Sequence, residues 1–131
     1  MEIVFADAFY YIAWLNDRDV AYPQARAMGK HTKQIITTDY VLLEVADALA
    51  ETRLRADVVP FIESLRHLHT TLIVPASQDL LNNGLKLYAN RLDKGWSLTD
   101  CISFVVMRNL NLTVALTHDH HFKQAGFRTL L

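Results

Sequence analysis

The sequence predicts a single α/β domain over residues 1–131, with a mostly parallel sheet between layers of helices. Three observations support this prediction. Short apolar segments alternate along the chain with segments of helical periodicity, which is the pattern of βαβ units. Hydrophobic residues make up 51% of the chain, which is enough for one core and too much for a disordered protein. No internal repeat, low-complexity tract or linker divides the sequence.

The first predicted elements are a strand at residues 2–6 and two helices at residues 9–15 and 20–28. The strand is a short apolar segment. In the second helix the apolar side chains share one face and Pro23 fits the first turn, while Gly29 is expected to stop the helix.

The middle of the chain continues the alternation of strands and helices. The β-branched residues at 34–37 predict a strand, and apolar side chains at helical spacing predict a helix over 40–53. Asp57 is expected to cap the next helix, with Pro60 in its first turn. Residues 72–74 are apolar and precede a proline, so they predict the third strand.

The last part of the chain is predicted to contain two long helices, a short helix and two strands. Ser77 is expected to cap a helix that Gly95 breaks. Ser97 is expected to start a mostly apolar, and therefore buried, helix that runs to Leu110. The remaining elements are a strand at residues 113–116, a short helix at 119–124, and a turn with a short strand at 126–131.

Composition restricts the classes of function. The formal net charge is −1, so RNA binding would need a local basic patch or a metal ion rather than a globally basic surface. Cys101 is the only cysteine, which excludes an intrachain disulfide and a cysteine-based zinc site. No apolar run approaches the ~20 residues that a membrane helix needs, and the N-terminus lacks the basic segment of a signal peptide. We therefore expect a cytoplasmic protein without a membrane segment.

Four carboxylates occupy positions that favour a shared site. Asp7 directly follows the first strand and Asp119 lies just beyond the fourth, so both belong at the carboxyl ends of strands, where open parallel sheets bind ligands. Glu44 interrupts an otherwise apolar helix, and Asp100 lies at the start of the buried helix. Taken singly, each has a simpler explanation: helix capping for Asp7 and Asp119, a capping box for Asp100, and exposure to solvent for Glu44.

Convergence of these four acids would explain all of them at once and would require a cation. Two unit charges ~4 Å apart repel by about 4 kcal/mol at an effective dielectric constant of about 20. Such a cluster must take up protons or bind cations, and oxygen-only ligands suit Mg²⁺ or Mn²⁺ rather than zinc. An ion of this kind can activate a water and stabilise the leaving oxygen of a phosphodiester. The predicted reaction class is therefore metal-dependent phosphodiester hydrolysis.

Four sequence blocks, spread over almost the whole chain, resemble those of PIN-domain proteins of the VapC toxin type. The first is a short strand that ends in aspartate, and the second is a threonine-led helix that carries glutamate. The third is Ser-Leu-x-Asp at the start of a helix, and the fourth is a strand that leads into Thr-x-Asp-x-x-Phe. In this chain the blocks lie at residues 3–7, 37–45, 97–101 and 116–122.

The resemblance implies a three-layer α/β/α fold with a sheet of about five strands. It also implies a Mg²⁺-dependent endoribonuclease, often a homodimer, whose site a cognate antitoxin blocks. On this resemblance Asp7, Glu44 and Asp100 bind the metal directly. Asp119 completes the site, directly or through water, and Thr117 orients it.

Other constellations are weaker. His118, His120 and His121 flank Asp119, but residues one or two apart do not share a helix face, so we expect no zinc chelate there. The basic residues that precede the Asp100 block are candidate contacts for RNA phosphates, and they are Arg91 and Lys94.

Rival functions stay open at this point. A PIN-fold module that binds RNA or protein without catalysis, and a housekeeping nuclease that is not a toxin, are both compatible with the motifs. A signalling domain of the response-regulator type also gathers acids at strand ends. It needs a phospho-acceptor aspartate after the third strand, and residues 74–77 supply none.

Overall fold

The computed structural model describes residues 2–131 and confirms the α/β class. Its strands are β1 (Glu2–Ala6), β2 (Thr32–Thr38), β3 (Thr71–Val74), β4 (Val114–Leu116) and β5 (Arg128–Leu130). Its helices are α1 (Ala8–Leu15), α2 (Tyr22–Met28), α3 (Asp39–Leu49), α4 (Arg55–His67), α5 (Gln78–Asn90), α6 (Leu98–Asn109) and α7 (His120–Gln124), with a 3₁₀ turn at Gly29–His31. Among these residues no helix combines the length and apolar character that a bilayer crossing requires.

The strands of residues 2–131 form one wholly parallel sheet in the order β3-β2-β1-β4-β5. The chain runs outward from the central β1 to β3, then returns to the other side of β1 to form β4 and β5. Right-handed crossovers therefore place the helices after β1 and β2 on one face, and those after β3 and β4 on the other. Strand order reverses between β1 and β4, so a crevice is expected at the carboxyl ends of these two strands.

The core centres on β1, β4 and α6. The three residues of β4 and the last three of β1 are buried, as expected for central strands that are covered on both faces. The α6 helix is buried on most sides, as the sequence predicts. At Gly84 in α5, a Cβ atom would overlap the side chain of Ile102 in α6, so glycine allows the two helices to pack closely. This packing fixes the position of the first turn of α6.

The predicted boundaries between α3 and α4 are wrong. The α3 helix ends at Leu49, not near residue 53, because Thr52 closes a turn: its hydroxyl donates to the Leu49 carbonyl (2.9 Å) and accepts from the Leu54 amide (3.1 Å). The α4 helix therefore begins at Arg55. As a result, Asp57 lies in its first turn rather than at its cap, and the helix contains a proline, Pro60, beyond that turn.

Two glycines also act differently from the prediction. Gly29 keeps right-handed helical angles (φ −58°, ψ −26°), and the chain continues into the 3₁₀ turn. Its lack of a side chain matters because a Cβ there would lie 3.1 Å from the Tyr10 hydroxyl. The α5 helix ends at Asn90, well before Gly95, because Arg91 leaves the helical conformation and forms an ion pair with Asp93.

Candidate active site

Asp7 lies at the carboxyl end of β1, beside β4. Its amide donates to the Leu116 carbonyl (3.3 Å), and the Thr117 hydroxyl donates to its Oδ2 (3.0 Å). Its Oδ1 is buried and has no hydrogen-bond partner among the described residues. Although Asp7 stands at the N-cap position of α1, its side chain makes no capping hydrogen bond. Helix capping therefore does not explain this carboxylate.

Asp100 is buried in the first turn of α6 and completes a capping box with Ser97. The Ser97 amide donates to Asp100 Oδ2 (3.1 Å), and the Asp100 amide donates to Ser97 Oγ (3.0 Å). The structural explanation considered for Asp100 therefore holds. The same hydrogen bonds fix the orientation of the carboxylate, because they tie Oδ2 to the backbone before the helix.

Asp119 follows β4 and caps the short α7 helix. Its Oδ1 accepts from the His121 amide (2.9 Å), and its own amide donates to the Thr117 hydroxyl oxygen (3.0 Å). Thr117 therefore contacts both Asp7 and Asp119. This single buried hydroxyl sets the spacing between two of the four predicted acids.

Glu44 lies within electrostatic range of Asp100 and Asp119. It projects from α3, which packs against α6, and its side chain is half-buried. Burial raises the pKa of Glu44, and the carboxylates of Asp100 and Asp119 raise it further. The half-buried position of Glu44 and the effect of these two carboxylates on its pKa do not fit the simple solvent-exposed explanation.

The electrostatics of the remaining acids agree with a shared site. Burial raises the pKa of Asp7 to about 7, and the nearby Glu44 and Asp100 carboxylates contribute in the same direction. Burial also raises the pKa of Asp100, with a further contribution from Asp119 that the Ser97 amide and His121 oppose. The acidic groups thus come from β1, α3, α6 and the end of β4, and the raised pKa values of Asp7, Glu44 and Asp100 reflect poorly compensated negative charge. Among the described residues, the one group of three or more potential ligand atoms within 4.8 Å of one another consists of Asp119, His120 and His121, so the four acids do not form such a group as they stand.

The donor set fits a hard divalent cation. It consists of carboxylate oxygens, and Mg²⁺ and Mn²⁺ prefer oxygen ligands. Oδ1 of Asp7 is a buried acceptor without a hydrogen-bond partner among the described residues, although the nearby Ala8 amide lowers the pKa of the carboxyl group. Buried polar atoms are normally satisfied, and a cation would satisfy this one. Metal binding by Asp7, Glu44, Asp100 and Asp119 remains a prediction that this geometry permits.

His121 is a member of the site that sequence analysis missed. Its Nδ1 lies 3.0 Å from Asp100 Oδ2 and 3.3 Å from Asp119 Oδ1. The argument that neighbouring residues do not share a helix face fails here, because Asp119 precedes the helix and has extended backbone angles (φ −76°, ψ 119°). His118 by contrast turns away, with its Nδ1 2.8 Å from the Leu131 carbonyl oxygen. The sequence feature that could have identified His121 is a histidine two residues after an aspartate that caps a helix.

The two basic residues proposed as RNA contacts line a cavity next to the acidic cluster. Arg91 and Lys94 border a space of about 240 Å³, together with Tyr88, Leu92, Gly95, Trp96 and Cys101. A Cβ at Gly95 would lie 4.0 Å from His121 Nε2, so the cavity adjoins the ring that contacts Asp100. Arg91 pairs with Asp93 and lies 4.8 Å from the centre of the Trp96 ring. The placement suits a phosphate contact beside the acids.

Comparison with solved structures finds the same fold in three crystal structures. VapC20 of Mycobacterium tuberculosis, a Sarcin-Ricin loop cleaving toxin, matches with a TM-score of 0.85 at 22% identity, over 95% of this chain and 95% of that chain. FitAcB from Neisseria gonorrhoeae matches with a TM-score of 0.68 at 14% identity, over 100% and 97%. DNA-bound VapBC from Salmonella typhimurium matches with a TM-score of 0.66 at 11% identity, over 99% and 98%. No family model and no curated protein sequence matches the chain.

These likenesses extend over nearly the whole of both chains, so they concern the complete domain rather than one βαβ unit. At such low sequence identities they establish architecture rather than activity. The strand order and the central position of β1 belong to this architecture. The chain therefore has the PIN-domain fold of VapC-type toxins.

Proposed function

We propose that this chain is a metal-dependent endoribonuclease that hydrolyses RNA phosphodiester bonds with Mg²⁺ (or Mn²⁺). One observation carries the proposal. A buried oxygen of Asp7 has no hydrogen-bond partner among the described residues, and the Glu44 and Asp100 carboxylates lie near enough to raise the pKa of this group. Isolated buried carboxylates are costly, and a cluster of them at the strand-order reversal of a parallel sheet is typical of a ligand site.

Each residue has a distinct part in this proposal. Asp7, Glu44 and Asp100 would hold the ion directly, with Asp119 as a direct or water-mediated ligand. Bound there, the ion would activate the attacking water and stabilise the leaving oxygen of the phosphodiester. Other residues of the chain orient the carboxylates that would bind the ion. Thr117 holds Oδ2 of Asp7, which leaves Oδ1 free for the ion, and the Ser97 amide fixes one oxygen of Asp100.

RNA would approach across the cavity beside His121. Arg91 and Lys94 supply positive charge at its border, although the whole chain is slightly acidic. Phosphate contacts position a nucleic acid without selecting its sequence. We therefore assign these two residues to substrate positioning and not to cleavage.

We further propose that the nuclease is the toxin of a toxin–antitoxin pair that acts in the cytoplasm. The likeness to VapC20, a Sarcin-Ricin loop cleaving toxin, and to VapBC structures supports this role. A cognate antitoxin would then block the site. A homodimer is also part of the proposal, as the resemblance of the four sequence blocks to VapC-type toxins implies.

The central test is cleavage of a labelled RNA by the purified chain. We expect cleavage with Mg²⁺ or Mn²⁺ that EDTA abolishes. Asp100→Asn and Asp7→Asn should abolish it while the circular dichroism spectrum stays that of the parent chain, and the exposed Asp79→Asn is the matched control. EDTA-sensitive cleavage retained by both site variants would refute the site assignment. No cleavage by the parent chain with any divalent ion would favour a binding module.

The toxin role has a separate test in growing cells. Expression of the chain without a partner gene should slow growth, and Asp7→Asn should relieve the effect. Normal growth with the active chain would favour a housekeeping nuclease.

A further inference from the structure

Beside the acidic cluster, three consecutive side chains place their donor atoms around one point. The ligand atoms of Asp119, His120 and His121 all lie within 4.8 Å of one another. Asp119 Oδ1 is 3.3 Å from His121 Nδ1 and 3.7 Å from His120 Nδ1. Asp100 is not part of this set, although its Oδ2 lies 3.0 Å from His121 Nδ1.

These distances match those between ligands of a common metal ion. Two atoms that each lie about 2.0 Å from a tetrahedral ion are about 3.3 Å apart. The two distances from Asp119 Oδ1 are therefore compatible with a shared ion, and His120 can adjust its ring because its side chain is 72% exposed. The ring of His121 is more confined, because only 22% of its side chain is exposed.

The chemistry of the donors differs from that of the acidic centre. Imidazole nitrogen suits Zn²⁺ and similar transition metals, whereas Mg²⁺ prefers oxygen. Two imidazoles and one carboxylate, with the remaining position left to water, form a set that zinc sites use. We propose that Asp119, His120 and His121 form a second metal site in this chain, selective for Zn²⁺ over Mg²⁺.

The surroundings favour a cation at this point. Asp100 Oδ2 lies 3.0 Å from His121 Nδ1, so a second carboxylate adjoins the three donors and would help to balance the charge of an ion there. The site stands independently of the nuclease proposal. If both hold, the two ions share Asp119, so Zn²⁺ would interfere with the Mg²⁺ centre.

The test is direct binding of Zn²⁺ to the full chain without a histidine tag, at constant pH, in competition with a chromophoric chelator. We expect one Zn²⁺ per chain with a Kd of about 1 μM or lower. His120→Gln and His121→Gln should each weaken binding by about tenfold or more. His69→Gln is the matched control, because His69 is exposed in the turn before β3, at the opposite edge of the sheet. It should bind Zn²⁺ as the parent chain does.

Co²⁺ provides a second measurement, since its visible absorption intensifies when the ion is held by nitrogen ligands in a site of low coordination number. That absorption should appear in the parent chain and in His69→Gln, and disappear in His120→Gln. Zn²⁺ affinity unchanged in His120→Gln, whose exposed side chain is not needed for folding, would overturn the proposal. Asp7→Asn separates the two proposals: it should lose RNA cleavage and keep the Zn²⁺ site.

Discussion

The Thr117 hydroxyl donates a hydrogen bond of 3.0 Å to Asp7 Oδ2, between residues 110 positions apart in the sequence. The two residues meet because β1 and β4 are adjacent and parallel, so their carboxyl ends lie at the same edge. The same hydroxyl oxygen accepts from the Asp119 amide (3.0 Å). One side chain therefore orients a candidate metal ligand on each strand.

Replacement of Thr117 should reveal this positioning role. Thr117→Val removes the hydroxyl that donates to Oδ2 of Asp7, and it should lower metal-dependent RNA cleavage by about 10- to 100-fold. Thr117→Ser keeps the hydroxyl and should keep most of the activity. A titration of cleavage against Mn²⁺ concentration measures both effects. Full activity of Thr117→Val would show that this hydroxyl does not position the site.

The pKa of Asp7 predicts how stability depends on pH in the metal-free chain. Burial raises this pKa from 3.8 to about 7 in the folded state. Between these values the unfolded chain releases a proton that the folded chain retains, so the free energy of unfolding should fall as pH rises from about 4 to about 7. This shift in the pKa of Asp7 corresponds to a change of at most roughly 4 kcal/mol in the free energy of unfolding.

Urea unfolding at pH 5 and pH 8 checks this prediction. Asp7→Asn cannot ionise, so it should flatten the pH dependence and raise the free energy of unfolding at pH 8. Saturating Mn²⁺ should stabilise the parent chain at pH 8 far more than it stabilises Asp7→Asn. The same pH dependence in both chains would mean that another group causes it.

Glu44 provides a test of convergence between α3 and the rest of the site. Glu44→Gln keeps the size of the side chain and removes its charge, so Mg²⁺-dependent cleavage should fall by at least about 100-fold. The unfolding free energy should stay the same or rise, because burial and the Asp100 and Asp119 carboxylates already disfavour the charged form. Glu63→Gln, on the exposed face of α4, is the control and should be fully active. Full activity of Glu44→Gln would remove this residue from the site.

Lys94 should act on RNA affinity rather than on the chemical step. Lys94→Gln should weaken RNA binding and reduce the slope of log affinity against log salt concentration by about 1, since one phosphate contact is lost. Binding is best measured with Asp7→Asn as the background, which leaves the RNA intact. Lys33→Gln, on β2 toward the opposite edge of the sheet, is the control. Loss of kcat without a change in affinity would contradict this assignment.

Short-range sequence patterns were sufficient to predict most of the strands and helices of the fold. The apolar segment at residues 2–6 coincides with β1, and Ser77 and Ser97 cap helices as expected, through hydrogen bonds within three residues. The boundaries between α3 and α4 were predicted wrongly because the chain between them follows a turn at Thr52. Hydrophobic periodicity does not reveal the hydrogen bonds that close this turn.

The sequence by itself determined the alternation of strands and helices, and with it the edge of the sheet where Asp7 and Asp119 had to lie. Both follow from short-range patterns, since parallel strands necessarily end on the same side. Only the tertiary structure decided that Glu44 approaches from α3, that Asp100 serves at once as a cap and as a member of the cluster, and that His121 lies between two carboxylates. Those contacts depend on how helices distant in the sequence pack against one another, and no local pattern encodes that packing.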